Sequence, residues 1–416
     1  MSARIWYPAL AAIALTCAAP NAQAQSAIFG PQTFHGLADL RVGAADGEKS
    51  WLDGGFGKTS RSGGDDGVSL AEAALEWKPR FNFALSGVVS AEYQPKTDPK
   101  LDLGEAYLKL RAPPQAWGRI SARAGLFYPP VSMENDGVAW TNPDMLSSSA
   151  INSWIGEEVK VAGVELTYAR PVGDGEVSAT GAVFGWNDTA GTLLAFRGWA
   201  LGGLKIGADT SVPLPPLSAF ATPRQGEEDY PVRELDHRAG AYGRVEWRMP
   251  SGVSLNAFYY DNGGNLTAVD KDVQWAWRTR FLNLGLQYEP DEKTKFLAQA
   301  MTGNTRFGFP YQGTGPIWFD VDFHAAYLLV RRRMGADTVS GRLDGFGVDD
   351  RTLKAIDNNA EHGWAATAAW RHPLTSHADL VVEALHVDSN RPSRAYGAEA
   401  PRQSQNVVQS ALRLSF

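Results

Sequence analysis

Residues 81–93 have the sequence FNFALSGVVSAEY, in which apolar and more polar residues alternate with a period of two. One face carries Phe81, Phe83, Leu85, Gly87, Val89, Ala91 and Tyr93. Residues 317–329 repeat the pattern, with an apolar edge at Ile317, Phe319, Val321, Phe323, Ala325, Tyr327 and Leu329. A period of two is that of a β-strand. Each stretch is longer than the about 5–6 residues of a typical globular strand and suits a tilted strand that crosses a membrane.

Similar segments recur along the chain and predict sixteen strands. They lie at 33–43, 69–77, 81–93, 101–112, 117–127, 159–170, 176–186, 238–249, 253–260, 274–289, 294–302, 317–330, 338–346, 362–370, 378–388 and 404–416. Seven short connections alternate with eight longer ones, as in barrels with short periplasmic turns and long external loops. We therefore predict an all-β protein, a transmembrane antiparallel β-barrel of about sixteen strands. The stretch 187–237 stays ambiguous, because it holds either a strand or a folded loop.

Both ends of the chain carry export signals. Residues 1–24 are predicted to be a cleaved signal peptide with an apolar centre and a small-x-small site at Ala22-Gln23-Ala24. Residues 25–416 would then form a single barrel domain. Phe416, Leu414 and Leu412 share one face of the last strand, which resembles the signal that delivers outer-membrane proteins to the barrel assembly machinery. We therefore expect the protein in the bacterial outer membrane, in contact with its lipid and lipopolysaccharide.

The composition argues against several classes of function. The only cysteine, Cys17, lies in the predicted signal peptide, so the mature chain would have neither disulfides nor thiolate metal ligands. Asp and Glu total 46 against 39 Lys and Arg, a formal charge of −7, which argues against a nucleic-acid partner. The seven histidines are scattered, without the spacing of a metal site or a catalytic triad. We predict no enzymatic activity, no metal site and no cofactor.

A barrel of this size leaves an aqueous lumen, so functional residues are sought on its inner face. If the apolar face of every strand points outward, the pore-lining cations are Lys109, Arg111, Arg119, Arg123, Arg244 and Arg248, the last two across the barrel from the others. The loop at 128–158 is expected to fold inward as a constriction, bringing acidic groups opposite these cations: Glu134, Asp136, Glu157 and Glu158. Such charges select ions in channels. The alternative is that they only pair and stabilise the lumen.

Two stretches carry a family resemblance. Glu105-Ala106-Tyr107-Leu108 and the run RAGLFYPPVSME at residues 123–134 resemble the phosphate-selective porin O and P family, over about residues 101–169. The resemblance implies sixteen-stranded, usually trimeric channels in which arginines and loop lysines draw anions inward. It makes Arg119 and Arg123 the better candidates. This chain has few lysines and an acidic loop at 128–158, so the permeant solute is left open.

The leading hypothesis is a porin, a water-filled channel for passive diffusion of small hydrophilic solutes or ions, with anions as a candidate. One alternative is a barrel for uptake of hydrophobic substrates, which would need an N-terminal plug, and only about eight mature residues precede the first strand. The other is an adhesive or enzymatic barrel that acts through its external loops, especially 187–237.

Overall fold

A computed structural model describes residues 27–65 and 67–416 of the chain. Within these residues, sixteen strands form a closed barrel in which neighbours in sequence pair and the last strand pairs with the first. The predicted fold class is confirmed. The predicted signal peptide lies outside the described residues and stays a prediction. No helix in the described part of the chain is both long and apolar enough to cross a membrane.

All sixteen predicted strands are present among the described residues. They are β1 (Phe34–Ala45), β2 (Gly67–Trp77), β3 (Leu85–Tyr93), β4 (Leu101–Arg111), β5 (Arg119–Phe127), β6 (Val161–Val172), β7 (Gly175–Gly185), β10 (Gly240–Arg248), β11 (Val253–Asp261), β12 (Arg278–Asp291), β13 (Thr294–Pro310), β14 (Ile317–Met334), β15 (Asp337–Asp350), β16 (Glu361–Thr375), β17 (Ala378–Asn390) and β18 (Arg402–Ser415). Two short strands, β8 (Val212–Pro213) and β9 (Glu228–Asp229), pair only with each other. Strand β13 runs longer than predicted, because its pairing with β14 continues towards the external side.

The C-terminus closes the barrel against the N-terminal strand. Leu37 lies opposite Ser415 in the register of β1 and β18. The backbone N–H of Gly36 donates to the Phe416 carbonyl at 3.1 Å, and the N–H of Phe416 donates to the Gly36 carbonyl at 3.2 Å. The side chains of Leu414 and Phe416 are 40% and 67% exposed on the outside. Their role in assembly stays a prediction.

Most strands present their apolar side chains outward, as expected for a wall in contact with lipid. Large apolar side chains at least half exposed on the outer face include Val183, Val245, Leu284, Leu328 and Leu343. Between them, along the same strands, the inner side chains are mostly polar or packed beneath the loops. The outer surface is therefore an apolar belt.

Strand β14 breaks this rule. The face of β14 that carries Phe319, Phe323 and Leu329 was expected to contact lipid. These side chains are at most 1% exposed and point inward. They pack on the inserted loops, with the Phe323 ring 5.2 Å from that of Trp154 and the Phe319 ring 5.0 Å from that of Phe196. The expectation was wrong because it assumed a water-filled lumen, whereas apolar loop residues cover this part of the wall.

Two long loops fill much of the lumen. The 128–160 loop contains α1 (Ala150–Glu158), all of whose residues are buried. The helix begins there because the Ser149 side chain accepts a hydrogen bond from the Asn152 N–H at 3.2 Å, which satisfies a free amide of the first turn. The 186–239 loop contains α2 (Thr192–Phe196) and the β8–β9 pair, and contributes no barrel strand. That resolves the ambiguous stretch as a folded loop.

Candidate functional site

The six predicted cations all point into the lumen and lie on one continuous part of the wall. Strand alternation places Lys109 and Arg111 of β4, Arg119 and Arg123 of β5, and Arg244 and Arg248 of β10 on the inner face, because Leu108, Leu110, Val245 and Trp247 are exposed outside.

In the register, Lys109 lies opposite Arg123, and Arg248 lies opposite Glu176 of β7. Only β6 and β7 separate β5 from β10. The expected position of Arg244 and Arg248 across the barrel was therefore wrong. We call the inner faces of β4, β5, β6, β7 and β10 the basic wall.

Three carboxylates on the basic wall pair with its arginines. Arg123 donates to Glu165 through Nε at 2.8 Å and Nη2 at 2.9 Å, and Arg248 donates to Glu246 at 2.7 Å. Arg119 pairs with Glu176. Sequence reasoning did not single out Glu165 and Glu176, although their positions share the inward parity of their strands.

Two more carboxylates of β4, Asp102 and Glu105, face inward and accept hydrogen bonds from the inserted loops. Together with Glu165, Glu176 and Glu246 they make five inward carboxylates against six cations, a formal surplus of one positive charge. No ion pair is recorded for Arg111 among the described residues, and its side chain is exposed. The wall therefore presents a net attraction for anions.

Water reaches the basic wall from the periplasmic end. The side chains of Arg119 and Arg248, next to the short turns, are 55% and 59% exposed, whereas that of Arg123, further in, is 16% exposed. The Arg123 guanidinium carbon lies 3.9 Å from the ring centre of Phe127, which is fully buried. We call the solvent-exposed part of the basic wall beside the short turns, which contains Arg119 and Arg248, the vestibule.

The acidic loop residues lie elsewhere than expected. Glu134, Glu157 and Glu158 are buried, whereas Asp136 is exposed. Glu134 accepts from the Ser149 N–H at 2.6 Å, and Glu157 pairs with Arg197 at 2.7 Å. The expectation that the three buried residues face the six wall cations was wrong: Glu157 and Glu158 find their partners in the 186–239 loop, at Arg197 and the Leu193 N–H, whereas Glu134 is held within its own loop and lies 3.5 Å from Arg342 of β15.

Buried polar side chains hold the 128–160 loop against the opposite wall. Gln299 of β13 accepts from the Met133 N–H at 3.2 Å, and Glu383 of β17 accepts from the Leu146 N–H at 2.7 Å. Arg413 of β18 donates to the Asn142 carbonyl at 2.8 Å. The loop therefore follows the wall from β13 round to β18 and leaves the periplasmic half of the basic wall uncovered.

One cluster in the 186–239 loop has the spacing to hold a cation. Within the described residues, carboxylate oxygens of Asp188, Glu234 and Asp236 lie within 4.8 Å of one another. Glu234 accepts from the N–H groups of Trp186 at 3.0 Å and His237 at 2.7 Å. Burial raises the pKa of Asp188 to about 7, and backbone N–H donors oppose the shift. Backbone amides therefore already occupy these oxygens in part.

Comparisons with solved structures match nearly the whole chain. The outer membrane channel DcaP of Acinetobacter baumannii is 12% identical, with a TM-score of 0.57, covering 92% of this chain and 96% of that one. The anion-selective porin from Comamonas acidovorans is 13% identical, with a TM-score of 0.51, and the match covers 92% of this chain and 99% of that one. The fold is that of an outer-membrane channel. OmpT of Vibrio cholerae, in its trimer form, is 10% identical, with a TM-score of 0.50, covering 92% and 98%. No protein-family profile and no curated protein sequence matches the chain.

The outer surface agrees with this fold. A closed barrel has no unpaired edge to expose to hydrocarbon, and an apolar belt is stable only in lipid. The belt includes Leu284, which is 51% exposed, and Leu343, which is 61% exposed. The chain is therefore a protein of the bacterial outer membrane.

Proposed function

We propose that the protein is a narrow channel for passive diffusion of small hydrophilic solutes across the outer membrane, with anions favoured. The observation that carries the proposal is the basic wall, where six inward cations lie on three of five adjacent strands. Fixed positive charge along a lumen with low-dielectric walls concentrates anions and repels cations. The exposed Arg119 and Arg248 act first on a solute that enters from the periplasmic side.

The inserted loops make the channel narrow. Trp154, Trp199 and Trp277 are fully buried where the loops fill the lumen, so they offer no exposed apolar path for a hydrophobic substrate. We therefore expect a low conductance and a small size limit. This favours hydrophilic diffusion over hydrophobic uptake.

We extend the proposal to a homotrimer that is inserted by the barrel assembly machinery and surrounded by lipid and lipopolysaccharide. Its support is the fold, since one structure of the same fold is in trimer form. Chemical cross-linking of the protein in native membranes would test it. A product of three chains is expected, and a monomer at every cross-linker concentration would contradict it.

The selectivity is tested in planar bilayers. The double variant Arg119→Ala/Arg248→Ala removes the two exposed cations of the vestibule. The reversal potential across a salt gradient should therefore shift in the direction that indicates a lower permeability to anions relative to cations. The matched control is Arg402→Ala, an arginine with 76% side-chain exposure at the external end of β18, which should leave the potential unchanged. Wild-type protein without stepwise conductance would refute the channel, and an unchanged potential in the double variant would refute the role of the basic wall.

A further inference from the structure

The seam between β2 and β3 is the least paired part of the barrel wall. Strand β2 pairs with β1 from Gly67 to Trp77. Only Ala73–Trp77 pair with β3, fewer residues than in any other pairing of barrel strands among those described. Apart from the pairing with β1, no backbone–backbone hydrogen bond of residues 67–72 is recorded within the described part of the chain. We call the side of 67–72 that points away from β1 the free edge of β2.

The free edge is accessible from outside the barrel. Residues 67–70 are all exposed, and Val68 is 79% exposed, although successive side chains of a strand point to opposite faces. A cavity of about 240 Å³ adjoins the edge, and its lining joins Ala71 to Pro95 of the 94–100 loop and Leu204 of the 186–239 loop. The free edge therefore borders a notch in the wall, on the external side of β3.

The free edge lies at the level of the apolar belt. In the register of β1 and β2, Val68 lies opposite Val42 and Leu70 lies opposite Leu40. Val42 and Leu40 are outward side chains, 47% and 40% exposed. Hydrocarbon offers no hydrogen bonds, so an open sheet edge is not stable in contact with lipid. An uncovered edge is also a template for pairing with another chain. A polypeptide is therefore needed to cover the free edge.

Two nearby parts of this chain leave the free edge uncovered. The 94–100 loop closes on itself, since the N–H of Gln94 donates to the Lys100 carbonyl at 2.8 Å. The described N-terminus lies at the periplasmic end, where the Ala27 carbonyl accepts from the N–H of Arg80 at 2.9 Å. If residues 1–24 are cleaved as predicted, the two residues before Ala27 span about 7 Å, whereas the apolar band of such a barrel is about 25 Å tall. The cover must then come from another molecule.

We propose that a second copy of this chain covers the free edge of β2, and that the notch is part of the contact between subunits. The inference names a contact surface of the homotrimer proposed above and rests on it. Subunits of a trimer meet through their barrel walls, and the free edge is a stretch of wall that requires protein rather than lipid. Polar groups of the partner pair with the free edge. Its apolar side chains pack on Val68, Leu70 and Leu101, which is 66% exposed on the other side of the notch.

Photo-cross-linking in native membranes identifies what covers the edge. Benzoylphenylalanine takes the place of Val68, and in the control it takes the place of Leu343, which is 61% exposed on β15. The probe at position 68 should yield a product of two chains, whereas the probe at position 343 should yield adducts with lipid only. Lipid adducts alone at position 68, a product with a different protein there, or equal capture of a second copy at both positions would overturn the proposal.

A larger side chain tests the same contact. Val68→Trp should abolish the three-chain product of chemical cross-linking, because the ring finds no space in a packed contact. Leu343→Trp places the same side chain on a wall that faces lipid and should leave that product unchanged. Heat-modifiable migration on gels shows whether each variant has closed its barrel. A three-chain product at the wild-type level in closed Val68→Trp would contradict the proposal.

Hydrogen exchange measures the backbone part of the contact. The amides of 67–72 on the free edge should exchange more slowly in the wild-type oligomer than in the Val68→Trp monomer by about tenfold, the effect of one hydrogen bond. The amides of 73–77 belong to the segment that pairs with β3 within one chain and should exchange equally in both. Equal exchange of 67–72 in the two states would show that no partner pairs with the edge.

These experiments separate the inference from the proposed homotrimer. If wild-type protein gives the three-chain product but the probe at position 68 captures no second copy, the subunits meet elsewhere and the homotrimer stands. If wild-type protein is a monomer at every cross-linker concentration, both fail.

Discussion

Arg342 of β15 donates through Nη1 to the carbonyl oxygen of Ser147 at 2.7 Å, joining the barrel wall to the inserted 128–160 loop. Nη2 of the same guanidinium donates to the Ser148 carbonyl at 2.9 Å, and Nε donates to Asp344 at 2.8 Å. Arg342 is 2% exposed. Arg342 thus holds the loop segment that precedes α1, together with Glu383 of β17, which accepts from the Leu146 N–H. The position of this loop affects the width of the lumen.

Replacing Arg342 by methionine should release the loop. The variant leaves Asp344 buried without its cation, and loss of one partner of a buried charge pair costs about 3–5 kcal/mol. We expect faster hydrogen exchange in 128–160 and a larger, noisier conductance than in wild type. Arg402→Met, at an exposed arginine on β18, serves as the control. Wild-type exchange rates in Arg342→Met would show that other contacts hold the loop.

The contact between the two inserted loops should weaken as the pH rises. Burial raises the pKa of Glu158 to about 7, and burial and the nearby Glu158 raise the pKa of Asp229 well above its usual range. Such a group stabilises the packed state when protonated, so its contribution is complete below the unfolded pKa and is lost as the pH rises through about 7. Intrinsic-rate-corrected hydrogen exchange in 186–239 should therefore be faster at about pH 8 than at about pH 5.

The matched variant for this prediction is Glu158→Gln, which keeps the shape of the side chain and cannot ionise. It should flatten the pH dependence of exchange in 186–239. The same pH dependence in Glu158→Gln and wild type would assign the effect to other groups.

The seam between β1 and β18 should be sensitive to side-chain volume at Gly43. A Cβ atom at Gly43 would lie 2.8 Å from the carbonyl oxygen of Val408 and 3.1 Å from Cα of Gln409, both on the β18 backbone. Gly43→Val should therefore push the two strands apart and destabilise the closed barrel by about 1–3 kcal/mol. Heat-modifiable migration on gels measures closure, and the temperature of barrel unfolding should fall.

Gly181→Val is the control for the seam, because a Cβ atom at Gly181 on β7 meets nothing within 4 Å. It should unfold close to the wild-type temperature. Equal loss of stability in both variants would point to glycine flexibility rather than to crowding at the seam.

Arg123 should affect stability as well as selectivity. Its two hydrogen bonds to Glu165 and its contact with the Phe127 ring fix it within the wall. Arg123→Met leaves the Glu165 carboxylate without its cationic partner. It should lower the free energy of unfolding measured in urea. The double variant Arg123→Met/Glu165→Leu should recover much of the loss, because removing both partners of a buried pair leaves no unpaired charge. No recovery would show that the other contacts of the two residues, to Phe127, Tyr128 and Tyr242, dominate.

The sequence predicted the barrel and its strands correctly because these follow from local periodicity. Alternation with a period of two is visible in residues 81–93 without knowledge of any neighbour, and the inward parity of Arg119 and Arg123 follows from it. The same period of two places Phe416, Leu414 and Leu412 on one face of the last strand, which pairs with β1 in the closed barrel. What alternation cannot show is what fills the lumen.

The sequence by itself determined the number of strands and their faces over most of the wall. Only the tertiary structure decided that Phe319 and Phe323 face inward, that Glu157 pairs with Arg197, and that Arg342 holds Ser147. The physical reason is that strand periodicity is a property of consecutive residues, whereas these contacts join residues far apart in the sequence. An apolar strand edge is stable against lipid or against a packed loop, and only the position of the loop distinguishes the two.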